Sequence, residues 1–295
     1  MTSLKFVADK NNIGPIVLFL LSLFFINKSF SHECIPFDKV KTILEGYPNK
    51  PIKEIEEDIT LESAYCVQEK LNYLIKKKYN DKIGYKVGFT GKATQERFKI
   101  DTPAVGTLYK HMFIKNNTKL SHSFGFRPLI EPDLMVIVKS KKIMAASNNL
   151  EILAELETLH PFIEIASLRF ENNIKVNGNM LVAANMLATK MVMGEGINIQ
   201  PTKAFLKKIG KIRTVFLDGN GNVIQEEPAS NLMQNPINVM AWLIKNLKEK
   251  GISLKKGDRI SLGSVGKLFP LKKETAYTYV LKGFDEELSL SISIN

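Results

Sequence analysis

The sequence predicts an α+β fold, a mixed β-sheet roll with flanking helices. Strand-like runs outnumber helical ones, they do not alternate with helices in βαβ fashion, and one pair is joined by a turn of hairpin type. The strand-like runs are KIGYKVGF (82–89), the end of DTPAVGTLY (101–109), RPLIEPDLMVIV (127–138), HPFIEIASLRF (160–170), KKGDRISLG (255–263) and LSLSISI (288–294). In TVFLDGNGNVIQ, Asp218-Gly219-Asn220-Gly221 separates two alternating apolar runs and predicts a hairpin. In the run at 127–138, Pro132 removes a ladder donor, which predicts a strand edge or a bulge there.

Four segments have helical character. Thr60 can cap a helix whose apolar stripe is Leu61, Ala64, Val67, Leu71, Leu74 and Ile75, with lysines gathered at its end as the helix dipole favours. Asn235 followed by Pro236 starts another, with Ile237, Met240, Leu243, Ile244 and Leu247 facing the core and Gly251 closing it. A short polar helix is expected around Lys92–Phe98. NMLVAANMLATKMVMGEG (179–196) is apolar nearly all round and reads as a buried helix ending at Gly194.

At the N-terminus, Lys5 and Lys10 precede an apolar run from Ile13 to Ile26, and Ser29 and Ser31 supply small residues before His32. The run is short for a bilayer span, which takes about 20 residues, and fits a signal-peptide core. Residues 1–31 are therefore expected to direct export to the periplasm or beyond and to leave no stable membrane anchor after cleavage; a retained anchor or a buried helix is the alternative. Residues 32–295 lack repeats and linker-like tracts, which predicts a single domain. Cys34 and Cys66 both fall in the exported part. An oxidising compartment allows them to pair, and two free thiols remain open.

The chain carries a net charge of +11, mostly as dispersed lysine. No zinc-finger, RNA-recognition or basic-aromatic pattern accompanies it, which argues against nucleic acid as a partner. A basic surface does favour a small anionic ligand by steering.

Glu131 and Asp133 lie two apart on the strand at 127–138, so they share a face. Glu164 sits inside a second strand-like run. Buried carboxylates repel one another unless a cation compensates them, and an all-oxygen set suits Mg²⁺, Mn²⁺ or Ca²⁺. The alternative is an ordinary ion-pair network with Arg127, Arg169 or a lysine.

Six blocks, in order, resemble the 2-keto-4-pentenoate hydratases of the fumarylacetoacetate-hydrolase-like superfamily. IGYKVGFTGKATQERF is similar to G-x-K-[VI]-G-[LF]-T, TPAVGTLYKHM to P-D-[FY]-G-x-L, and IEPDLMVIV to the E-P-E block. FIEIASLRF is similar to E-I-x-D-S-R, NPINVMAWLIKNL to G-H-P-x-N-x-V-x-W-L, and KKGDRISLGSV to G-D-x-x-L-T-G-S. The resemblance implies a roll of the fumarylacetoacetase C-terminal-like type. It also implies Mg²⁺ or Mn²⁺ held by Glu131, Asp133 and Glu164, Lys86 as catalytic lysine with a pKa drawn down by the cation, and Arg169, Asn185 and Ser264 in contact with substrate. The implied substrate is a small unsaturated 2-oxo acid, of the kind met in breakdown of aromatic compounds, and the implied reaction is addition of water. A homo-oligomer stays open.

Asp133 shortens one ligand by a methylene. Ala104, Ser167, Leu168, Ala184 and Asn235 stand where the family pattern carries Asp, Asp, Ser, Asp and His. Slowed proton transfer is the implied consequence, with Ala104→Asp expected to raise a weak hydratase rate. A catalytically silent metal or carboxylate binder, and a 2-oxo acid decarboxylase or tautomerase, are the alternative functions.

Overall fold

The structure is a computed structural model that describes residues 34–79 and 81–295; the expected signal segment at 1–31 lies outside the described residues. Helices α1 (Phe37–Glu45) and α2 (Leu61–Tyr79) lead into strand β1 (Lys82–Gly88), helix α3 (Lys92–Phe98) and strands β2 (Ala104–Tyr109), β3 (Phe113–Ile114) and β4 (Lys119–Leu120). The long strands β5 (Pro128–Val138) and β6 (Leu156–Ser167) flank helix α4 (Asn149–Ala154). Helix α5 (Gly178–Ala183), strands β7 (Lys190–Met193) and β8 (Ile197–Asn198) and helix α6 (Lys203–Ile209) follow. The hairpin of β9 (Arg213–Leu217) and β10 (Val223–Pro228) leads to helix α7 (Pro236–Glu249), and β11 (Arg259–Ser264), β12 (Phe269–Pro270), β13 (Thr275–Lys282) and β14 (Leu288–Ile294) complete the chain.

The local signals act through identifiable bonds. Thr60 Oγ1 accepts from Ser63 N at the start of α2, and Asn235 Oδ1 accepts from Ile237 N ahead of Pro236 at the start of α7. In the β9–β10 turn, Asp218 Oδ1 accepts from the amides of Asn220 and Asn222, the local bonding for which Asp is favoured in turns.

The strands form a nine-stranded sheet, ordered β2-β1-β11-β5-β6-β7-β3 with β12 and β8 paired to β5 and β6, and a five-stranded sheet, ordered β10-β9-β13-β14-β4. Most pairs are antiparallel, while β1–β11, β3–β7 and β4–β14 run parallel. This is the mixed-sheet α+β architecture that the strand spacing predicts. Alternation assigns the faces of the large sheet. Val87, Ile130, Leu134, Ile163 and Ile165 point into a core shared with Phe216 and Tyr279 of the small sheet and with Leu243 and Leu247 of α7. Ala104, Met135, Phe162, Ala166 and Met191 point the other way, into a core completed by Val40 and Ile43 of α1, Val67 and Leu71 of α2 and Met180 and Val182 of α5.

Pro132 sits in a central strand rather than at an edge, and the expected bulge explains how. Opposite it β11 slips by one residue between Ser261 and Ser264. Gly263 takes a φ of +94° there, and a Cβ on it would stand 2.8 Å from Val87 O. Past the bulge, Val265 N donates to Pro132 O.

The apolar run 179–196 is not one helix. It divides into α5, a left-handed segment in which Asn185, Met186 and Leu187 have φ of 53°, 53° and 57°, and β7, which pairs with β6. Its apolar character reflects burial between layers, and composition cannot separate a buried helix from a buried strand. The break is built by Asn185, whose Oδ1 accepts from Thr107 N while its Nδ2 donates to Thr107 O, so the side chain pairs with β2 in place of helix propagation.

Cys34 and Cys66 form a disulfide with Cα atoms 5.8 Å apart, joining the N-terminal arm to α2 across a separation of 32 residues. Closing a loop of that length restricts the unfolded chain by about 3–4 kcal/mol. The Cys34→Ser/Cys66→Ser double variant is therefore expected to lose about that much unfolding free energy and to unfold at lower urea concentration, and reduction of the parent protein to reproduce the shift. Equal urea midpoints for oxidised parent and double variant would refute the stabilising role.

Candidate metal centre and active-site cavity

Three carboxylates meet on the helix-covered face of the large sheet. In the β5–β6 register Glu131 stands directly opposite Glu164, and Asp133 follows two residues along β5 on the same face. One oxygen from each of Glu131, Asp133 and Glu164 lies within 4.8 Å of the others. Asp133 and Glu164 are wholly inaccessible and Glu131 nearly so.

Lys86 arrives from β1, whose register sets it beside Ser261 of β11, one strand away from β5. Its Nζ contacts Glu164 Oε2 and lies 3.7 Å from Glu131 Oε1. It also donates to Met186 O at 3.4 Å, so the left-handed turn after α5 supplies one of its acceptors. Gly106, opposite Lys86 on β2, lets that turn come close, since a Cβ there would be 3.0 Å from Asn185 O. Ser261 Oγ donates to Asp133 Oδ2 at 3.0 Å.

Burial and the charges of Glu131 and Glu164 push Asp133 well above the ordinary aspartate value. Burial also raises Glu164, with the contact from Lys86 opposing it. Burial would depress Lys86, but Glu164, Glu131 and Asp133 outweigh it and hold the ammonium above the usual lysine range. The protein side chains alone thus keep Lys86 charged. A charged Lys86 suits an anion holder or proton donor better than a base.

The residues fit a divalent ion. Asp133 Oδ1 and Glu164 Oε1 are buried with no hydrogen-bond partner, a costly arrangement unless a cation completes it. When ionised, the three carboxylates exceed the one ammonium by two negative charges, the charge of a divalent ion. Ligand oxygens around an octahedral Mg²⁺ lie roughly 3–4 Å apart, following from bonds of about 2.0–2.1 Å. Among the described residues this is the only group of three or more potential protein ligands brought together.

A cavity of about 450 Å³ opens beside Lys86 and Glu131, with Asp133 and Glu164 behind them. Ser264 lines it, as the resemblance implies for a substrate contact. Arg169 does not: its Nε and Nη2 donate to the carbonyls of Lys50 and Ile43, fastening the N-terminal arm. Asn185 is likewise committed to Thr107. Both expected substrate contacts are structural anchors outside the cavity. Ala104 is fully buried and absent from the cavity wall, Ser167 bonds Pro48 O and Phe126 N, and Asn235 serves as a helix cap. Leu168, in contrast, stands on the wall. Sequence reasoning did not assign Phe98, Thr90, Arg97, Ile174 or Val176 to the site; they belong to a surface helix and loops whose local pattern gives no sign of a shared cavity.

The architecture is that of the fumarylacetoacetate-hydrolase-like proteins. 4-Oxalocrotonate decarboxylase from Pseudomonas putida G7, complexed with magnesium and adipate, superposes with a TM-score of 0.77 over 88% of this chain and 97% of that one, at 20% identity. Fumarylpyruvate hydrolase from Pseudomonas aeruginosa, in complex with Mn²⁺ and pyruvate, gives 0.52 over 73% and 90%, at 9% identity. In sequence, the chain is similar to the 2-keto-4-pentenoate hydratase of Paraburkholderia phymatum, 24% identical over 79% of this chain and 87% of the relative. It is also similar to the 4-oxalocrotonate decarboxylase of Pseudomonas putida, 23% identical over 70% and 76%. No family model matches the chain.

A bound ion should stabilise the fold independently of any activity. Near a hundredfold excess over its dissociation constant, Mg²⁺ or Mn²⁺ is expected to add about 2.7 kcal/mol, or roughly 5–10 °C in Tm for a chain of this size. Thermal unfolding with and without EDTA measures it, and Glu131→Gln is expected to abolish the difference. A metal-insensitive Tm in the parent would count against the centre.

Proposed function

We propose that this chain is an exported, divalent-metal-dependent hydratase that adds water to an unsaturated 2-oxo acid, with slowed proton transfer. The observation that carries the reading is the buried set Glu131, Asp133 and Glu164, with unpartnered oxygens, beside a charged Lys86 at the floor of a cavity. The similarity to curated hydratases supports the reaction class.

Glu131, Asp133 and Glu164 would hold Mg²⁺ or Mn²⁺, which supplies Lewis-acid polarisation of a 2-oxo oxygen when bound. Lys86 attracts the substrate carboxylate and has a proton to give. In the hydration of a 2-hydroxydienoate, a proton is taken up at the terminal carbon as the enol becomes a ketone. The oxygen of water then bonds to C4 and a proton is delivered to C3. Ser264 and Thr90 offer hydroxyls on the cavity wall to orient substrate or water. Among the described residues no aspartate or histidine lines the cavity, which supports slow turnover, since a positioned acid or base typically contributes about 10²–10⁴-fold.

Decarboxylation is the second reading, favoured by the similarity to 4-oxalocrotonate decarboxylases in both sequence and fold. Loss of dienoate absorbance with 2-hydroxypenta-2,4-dienoate, compared with CO₂ release from 4-oxalocrotonate, separates the two. EDTA is expected to abolish turnover, and Lys86→Met to lower it by about 10²–10⁴-fold. Fast turnover insensitive to EDTA would sink the metal-dependent reading.

Export is supported by the signal-like N-terminus and by the Cys34–Cys66 bond, which suits an oxidising compartment. N-terminal sequencing of protein from the native host is expected to begin near His32. Recovery of the intact N-terminus in the cytoplasmic fraction would overturn export.

A further inference from the structure

We infer that the cavity selects 2-oxo acids with a long apolar tail over short or doubly charged ones; this rests on the reading of Lys86 and the acidic triad as the head-group site. The cavity's 450 Å³ falls within the ~300–1,000 Å³ typical of sites for drug-sized ligands, more than a five-carbon acid requires. Its polar groups differ in exposure. Lys86, Glu131, Thr90 and Ser264 lie toward the triad, and Arg97 and Arg127 lie among exposed residues.

Most of the remaining wall is hydrocarbon. Phe98, Leu129, Leu168, Ile174, Val176 and Leu181 come from α3, β5, the loop after β6 and α5, so separate parts of the chain converge on one apolar surface. All but Leu181 are only half-buried. An apolar tail would remove that surface from water, and water alone would not. Leu168 strengthens the case, because the family pattern quoted above carries a serine there.

The arginines do not form a built second carboxylate site. Arg127 Nη1 is committed to Phe170 O at 2.7 Å, and the Arg97 guanidinium lies 5.3 Å from the ring centre of Phe98. Both side chains remain exposed, where an ion pair contributes little. Apolar contact along the wall is therefore the stronger source of discrimination.

Calorimetric titration of the purified protein with Mg²⁺ tests the inference, using pyruvate, 2-oxohexanoate, 2-oxooctanoate and 2-oxoadipate. Each methylene that becomes buried is expected to tighten binding about three- to fourfold. 2-Oxooctanoate, longer than pyruvate by about five methylenes, should then bind roughly 200- to 1,000-fold tighter if all of them are buried. 2-Oxohexanoate should bind more tightly than 2-oxoadipate, which has the same number of carbons. Leu168→Ser and Ile174→Ser should each lower the octanoate-to-pyruvate affinity ratio severalfold. If pyruvate binds but affinity does not rise with length, or if 2-oxoadipate is preferred, the tail inference fails and the head-group reading survives. If no 2-oxo acid binds, both fail.

Discussion

Repulsion among three buried carboxylates is the constraint on which the centre of this protein depends. Glu131, Asp133 and Glu164 are held together on one face of the sheet by strand register. Lys86 compensates part of the charge from β1, across the intervening β11, yet two oxygens still lack a partner. A cation would complete that arrangement and offset the desolvation cost of burying it.

The surrounding backbone has the shape this cluster requires. Pro132, between the two acids of β5, is accommodated because β11 bulges opposite it, and Gly263 permits the bulge. The same stretch of β11 brings Ser261 to Asp133 and Ser264 to the cavity. On the other side, Asn185 locks a left-handed turn onto β2 and presents Met186 O to Lys86. Non-glycine residues in that conformation persist only where neighbouring bonds hold them.

Residues that look functional from their place in a motif divide here into two physical roles. Lys86, Glu131 and Ser264 reach the cavity. Arg169 and Asn185, also polar and buried, are consumed by backbone groups and hold the scaffold together. The Arg169 bonds and the Cys34–Cys66 link fasten the N-terminal arm on which one core of the large sheet relies. A motif records which residues occur together; only hydrogen-bond bookkeeping separates a ligand contact from an anchor.

Alternation, turn residues and helix caps are local, so the strands at 82–88, 128–138 and 288–294, the hairpin and the two capped helices could be read directly from the chain. The shared face of Glu131 and Asp133 was legible for the same reason, because residues two apart on a strand point alike. The pairing of Glu131 with Glu164 and the approach of Lys86 depend on sheet order, which joins segments distant in sequence. The break at Asn185 could not be read, because its cause lies on β2 at Thr107. The cavity wall could not be read either. Phe98, Leu168 and Ile174 belong to unrelated local patterns and become one surface only when packing brings their elements together.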